Sequence, residues 1–236
     1  MRFDKKKRPI IGITRPEVRK ANVPFWALWL AIWLGGGRPR ILSTDKPDAS
    51  GQIHGLMLGG GTDVFPGLFA TQPKDDYRYD RPRDEMEIKW LKRAEKELIP
   101  VFAICRGAQL MNVVNQGTLH MDIEKAYPGV SYPDSLLGHV IFRKKISIEP
   151  SSLLYEIFQK KELMVNSLHK QSINHLGKGL VVTARETNGV IQAIERPGHP
   201  FYLGVQFHPE LMIYRSSFRS FFRKFIGVAR SKKASG

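Results

Sequence analysis

The sequence predicts an α/β fold: a doubly wound, mostly parallel sheet with helices on both faces and additional antiparallel strands in the C-terminal half. Three observations carry this expectation. Short apolar runs alternate with longer helical ones between residues 9 and 115, the rhythm of strands joined by crossover helices. One such run passes directly into Gly59-Gly60-Gly61, and glycines at the carboxyl end of a parallel strand let the backbone approach a ligand. Beyond Tyr127 the strand-like runs follow one another more closely, as antiparallel neighbours do.

Taken in order, residues 9–14 read as a buried strand and residues 24–34 as a helix stopped by Gly35-Gly36-Gly37. Residues 40–42 and 53–58 read as further strands. Residues 82–98 form an amphipathic helix in which Met86, Ile88, Trp90, Leu91, Ala94 and Leu98 are set among charges. Residues 100–104 are the next strand, followed by a helix to about Asn115. Residues 139–148 and 180–184 are strand candidates, and 190–195 with 201–207 look like a pair. Residues 213–226 close the chain as a helix with Phe218, Phe221, Phe222, Phe225 and Ile226 on its apolar side. No repeat or composition break divides the chain, so a single domain over residues 1–236 is expected, with a basic tail from about 227.

The net charge of +15 would suit a polyanion, but the basic residues are scattered. They concentrate only in Lys5-Lys6-Lys7-Arg8 and from Arg215 onward, without interleaved aromatic motifs, so a solvated basic surface is expected and nucleic acid is not. A lone cysteine excludes an intramolecular disulfide and a cysteine-based zinc site, and fits a reducing compartment. No apolar stretch follows the basic N-terminus as in a signal peptide, and residues 24–34 are too few to span a bilayer, which needs about 20. A cytoplasmic protein without a membrane partner is expected. The segment 24–34 is apolar on every side, which suggests either a wedged helix or a homodimer interface through Trp26, Trp29 or Trp33.

The single cysteine, Cys105, ends an apolar strand and opens a helix, with Ala103 and Gly107 two residues to either side. A tight strand-to-helix turn needs small neighbours there, and a helix N-terminus favours the thiolate. A buried cysteine is also a common structural residue. The segment Gly204-Val-Gln-Phe-His208-Pro-Glu210 tips the balance, because it adds an imidazole and a carboxylate that can fold back on it. Cys105 is thus the candidate nucleophile, His208 the general base and Glu210 the group that orients the ring. The amide of Arg106, with one from Gly60 or Gly61, is the candidate oxyanion hole. The glycine run lacks the spacing of a phosphate loop, so nucleotide binding is not expected.

These residues carry a resemblance. The chain resembles the class I glutamine amidotransferase-like hydrolases, whose fold is flavodoxin-like, and within them the γ-glutamyl-γ-aminobutyrate hydrolase family. The resemblance rests on the Gly-Gly-x-Asp-Val-x-Pro stretch at 60–66, Arg83-Asp84-x-x-Glu87, Ile104-Cys-Arg-Gly-x-Gln109 and Gly117-Thr-Leu119 with Asp122. It extends to Val165-Asn-Ser-x-His169 and Gly204-Val-Gln-x-His-Pro-Glu210. It implies hydrolysis of a γ-glutamyl amide through a thioester on Cys105, with no metal or organic cofactor. It also implies that Gln109, Asn166, Ser167 and His169 help hold the glutamyl group. The chain departs from the family at Gly59, Ala103, Gln116 and Lys170, where the family usually has proline, glycine, glycine and histidine. Two other functions fit the same residues: a glutaminase subunit passing ammonia to a synthetase partner, and a catalytically silent binding protein of the same fold.

Overall fold

The computed structural model describes residues 8–15, 23–45, 51–75, 77–130, 132, 142–167 and 169–235. The chain begins with β1 (Ile10–Thr14), crosses by α1 (Val23–Leu34) to β2 (Arg38–Leu42), and returns to β3 (Gly55–Leu58). Then α2 (Arg81–Lys96), β4 (Val101–Ile104) and α3 (Arg106–Val114) follow. β5 (Leu119–His120), α4 (Ile123–Ala126), β6 (Lys144–Ile148) and α5 (Leu153–Phe158) lead to β7 (Glu162–Val165) and β8 (Ser172–Ile173). β9 (Val181–Glu186), β10 (Ile191–Glu195) and β11 (Tyr202–Val205) precede the final helix, α6 (Ser216–Ser235). The main sheet runs β2-β1-β3-β4-β11-β10-β9-β6-β7, and β5 pairs with β8 apart from it. The five strands from β2 to β11 are parallel, and the four beyond β11 are antiparallel. The expected doubly wound sheet with antiparallel additions is the observed one.

Period-two alternation divides the core between the two faces. Leu56 and Leu58 of β3, with Val101 and Ala103 of β4, face α2 and α3. Met57, Phe102 and Ile104 face the opposite layer, built from α1 and α6. There Phe102 packs against Phe221 at 4.5 Å between ring centroids and also meets Phe201, Phe222 and Phe225. The central strands are therefore apolar on both sides and read as continuous hydrophobic runs.

Several boundaries differ from the sequence reading. The strand expected over 139–148 is seen as β6, and residues 139–141 lie outside the described residues. The last helix does not end at Ile226: it continues through the basic segment, where Lys232 Nζ donates to the Glu97 carbonyl at 2.6 Å. Leu98 is not on the apolar face of α2 but is 51% exposed, in the left-handed region at φ 51. Helix α1 buries Phe25, Leu28, Ala31 and Ile32, half-buries Trp29 and leaves Trp26 and Trp33 exposed. Among the described residues no helix is long and apolar enough to cross a membrane, and no group of three or more His, Cys, Asp or Glu residues could hold a metal.

Candidate active site

Four parallel strands, β1, β3, β4 and β11, end at one edge of the sheet, and the segments leaving the last three carry the candidate residues. Cys105 is the hinge between β4 and α3, at φ 51 and ψ −110. A residue with a side chain costs about 1–3 kcal/mol in such a conformation, so its surroundings must hold it there. Its amide donates to the Val205 carbonyl at 2.7 Å, tying the turn to β11. Gly107 lets α3 press against β3, since a Cβ there would lie 2.7 Å from the Leu58 carbonyl oxygen. The requirement for a small residue is thus physical at 107, while Ala103 lies fully buried within β4.

The turn presents the Cys105 thiol to two side chains, Gln206 and His208. Gln206 Nε2 donates to Sγ at 3.4 Å, and its Oε1 accepts from Gln109 Nε2 at 3.1 Å. His208 shares a hydrogen bond with Cys105, and its Nδ1 pairs with Glu210 Oε1 at 2.7 Å. Burial works against a charged His208, yet the Glu210 carboxylate, the Cys105 sulfur and hydrogen bonds to both outweigh it and hold the imidazolium well above its usual range. Asn166 Oδ1 accepts from the His208 amide at 3.1 Å, which sets the backbone from which the ring projects. The sheet edge therefore brings together Cys105, His208 and Glu210, although about a hundred residues separate the thiol from the other two.

Gly60 lies against this pair: a Cβ on it would be 2.8 Å from His208 Cε1 and 3.7 Å from Cys105 Cβ. A cavity of about 210 Å³ opens beside the thiol, lined by residues 61–63, Cys105, Arg106, Gln109 and residues 169–171. Of the four residues expected to hold substrate, Gln109 and His169 are on this wall. The other two are fully buried and engaged within the protein, Asn166 beneath His208 and Ser167 as acceptor from Gln192 Nε2 at 2.8 Å. The His169 Nδ1 meets the Gln171 carbonyl at 2.6 Å, and burial pushes the ring down to about 4, so it stays neutral. Its Nε2 is shut off from solvent and has no hydrogen-bond partner among the described residues. Lys170 is exposed at the mouth, its Nζ 5.4 Å from the centroid of the Tyr77 ring.

Two groups of site side chains had no assigned role in the sequence reading, which used only the backbone amide of Arg106. Gln206 and Gln171 brace the walls, the latter bonding both polar groups of the Val64 backbone, at 2.9 and 3.1 Å. Gln206 stands out as a polar residue in the apolar run 201–207, whereas Gln171 lies in a polar segment and carries no such signal. The second group is a buried cluster of Arg83, Asp84, Glu87 and Arg106 under the glycine turn. Its members appeared within quoted motifs, but only the structure shows that they meet.

The chain is similar to several known proteins. A glutamine amidotransferase-like protein of Rickettsia prowazekii is 31% identical over 88% of this chain and 92% of its own length. The γ-glutamyl-γ-aminobutyrate hydrolase PuuD of Escherichia coli is 30% identical over 67% of this chain and 65% of its own. Among solved structures, the glutaminase domain of Trypanosoma brucei CTPS superposes with a TM-score of 0.64 over 94% of each chain, at 15% identity, which speaks to the fold alone. The model of the family described as Peptidase C26 matches residues 31–210. The chain belongs to the Peptidase C26 family of glutamine amidotransferase-like enzymes.

Proposed function

We propose that this protein hydrolyses a γ-glutamyl amide, γ-glutamyl-γ-aminobutyrate or a related γ-glutamyl amine, through a γ-glutamyl thioester on Cys105. The observation that carries the reading is the strained Cys105 turn, which holds the thiol against a His208 ring already paired with Glu210. In this reading the sulfur attacks the γ-carbonyl, and the amides of Arg106 and of Gly60 or Gly61 receive the charge that develops on its oxygen. His208, protonated, delivers its proton to the leaving amine as the C–N bond breaks. A water then gives a proton back to His208 and attacks the thioester, releasing glutamate and the free thiol. Gln109 and the neutral His169 stand on the cavity wall where the glutamyl group would lie. No step calls on a metal or an organic cofactor.

The test is glutamate release from a panel of γ-glutamyl amides that includes γ-glutamyl-γ-aminobutyrate and glutamine. Wild-type protein is expected to release glutamate, and Cys105→Ala to release none while keeping its circular dichroism spectrum. Full activity in Cys105→Ala would overturn the mechanism. Glutamine turnover that rises steeply only with an added synthetase would replace the hydrolase reading by that of an ammonia-supplying subunit.

A further inference from the structure

Four charged side chains, Arg83, Asp84, Glu87 and Arg106, are withdrawn from solvent beside the candidate site, and the proposed chemistry uses none of them. All four carry partners. Glu87 is shared: Oε1 accepts from Arg83 Nε at 2.8 Å, and Oε2 accepts from the Arg106 guanidinium, which also donates to Asp84. The remaining donors of Arg83 go to backbone, Nη2 to the Gly59 carbonyl at 3.0 Å and Nη1 to the Gly60 carbonyl at 3.1 Å. One carboxylate thus ties the glycine turn after β3 to the first residue of α3.

The direction of those carbonyls matters. In a planar trans peptide the N–H of the next residue points opposite to the C=O. With the carbonyls of Gly59 and Gly60 drawn toward Arg83, the amides of Gly60 and Gly61 are turned to the other side. That is the side on which Gly60 meets His208 and Cys105. Gly61 can be nothing larger, since its φ is 158° and a Cβ would fall 2.3 Å from Arg83 Nη1. The amide of Arg106 is one of the donors a helix start leaves unbonded within the helix. Its own guanidinium is held from the same carboxylate.

We propose that Arg83 and Glu87 are positioning residues: they lock the Gly59–Gly61 turn and the Arg106 end of α3 into one frame, so that the amides of Gly60, Gly61 and Arg106 converge on the acyl oxygen above Cys105. This rests on the acyl-transfer reading above, and the two are tested separately. Arg83→Lys keeps the charge but lacks the planar fork that reaches both carbonyls and Glu87 together. Glu87→Gln keeps the shape and removes the shared charge, and serves if Arg83→Lys does not fold.

With γ-glutamyl-p-nitroanilide as substrate, each variant is expected to lose about 100-fold in kcat, as when an oxyanion donor is removed, with KM within about threefold of wild type. Alkylation of Cys105 by iodoacetamide needs no oxyanion donor, so its rate should also stay within about threefold. An unchanged kcat overturns the proposal. So does a loss expressed in KM, which would mean substrate contact, or a parallel fall in alkylation, which would mean damage to the thiol itself. If wild type turns over no γ-glutamyl compound, the functional reading fails and amide resonances decide this one. The Gly60 and Gly61 signals should move in Arg83→Lys while that of Gly198, on a surface turn, does not; if they stay in place the frame is not held by Arg83.

Discussion

Cys105, His208 and Glu210 show how residue types alone can point to side chains that meet in the fold. A thiol at a strand-to-helix turn and an imidazole two residues from a carboxylate are chemically complementary wherever they lie in the sequence. The structure then supplies what spacing cannot, namely that β4 and β11 are adjacent and parallel and end at the same level. It also supplies the protonation state. Because Glu210 and the Cys105 sulfur raise His208, the imidazolium persists to higher pH than in a free histidine and is lost as pH rises past its elevated pKa. Glu210→Gln removes the larger of those two contributions and lowers that pKa. The alkaline limb of the kcat/KM profile should therefore move to lower pH, with a rate loss of about 10²–10⁴-fold and a larger one in His208→Asn. A pH–rate profile of Glu210→Gln that coincides with wild type would separate Glu210 from the ring. Asn166 and Ser167 carry the complementary lesson: polar residues in a recognisable motif turned out to be bonded inside the protein, a distinction no sequence spacing expresses.

At the scale of elements, legibility tracked burial. β1, β3, β4 and β11, the helices α1 to α3 and most of α6 were readable because a long apolar run or a clear helical period marks each. β7 alternates exposed and buried residues over four positions, and β5 and β8 have two residues each, so tertiary pairing rather than local pattern defines them. The end of α6 was hidden by Gly227, which reads as a stop; in the helix it faces open space and simply continues. Two helix ends also store strain. Leu98 at φ 51 and Gln116 at φ 69 hold left-handed positions after α2 and α3, where glycine is the unstrained choice. The Ile99 amide reaching the Ala94 carbonyl at 2.8 Å, and that of Gly117 reaching the Asn112 carbonyl at 3.0 Å, mark these terminations. Leu98→Gly and Gln116→Gly should each stabilise the fold by about 0.5–1 kcal/mol, once the greater freedom of glycine in the unfolded chain is set against the relieved strain. Chemical denaturation checks this, and a lower midpoint in both variants would mean that the turns are not strained.

For the whole molecule, the sheet divides two tasks. Its parallel half gathers Gly59–Gly61, Cys105 and His208 at one edge, while the segment leaving β7 holds Asn166 and Ser167 in the interior and brings His169 to the cavity wall. Away from the site, Trp26 and Trp33 on the outer face of α1 are 54% and 47% exposed, a costly arrangement for an isolated chain in water. The expectation is a dimer across this face. Light scattering should give twice the 26.9 kDa chain mass, and Trp26→Ser combined with Trp33→Ser should return the single mass; a wild-type monomer at working concentration contradicts it. The central claim, acyl transfer to Cys105, is tested most directly by acid-quenching the protein during turnover of a γ-glutamyl amide and mapping the adduct by mass spectrometry. The account predicts one γ-glutamyl group on the peptide bearing Cys105, absent from Cys105→Ala. Turnover with no adduct there, or with the adduct on another residue, would contradict it.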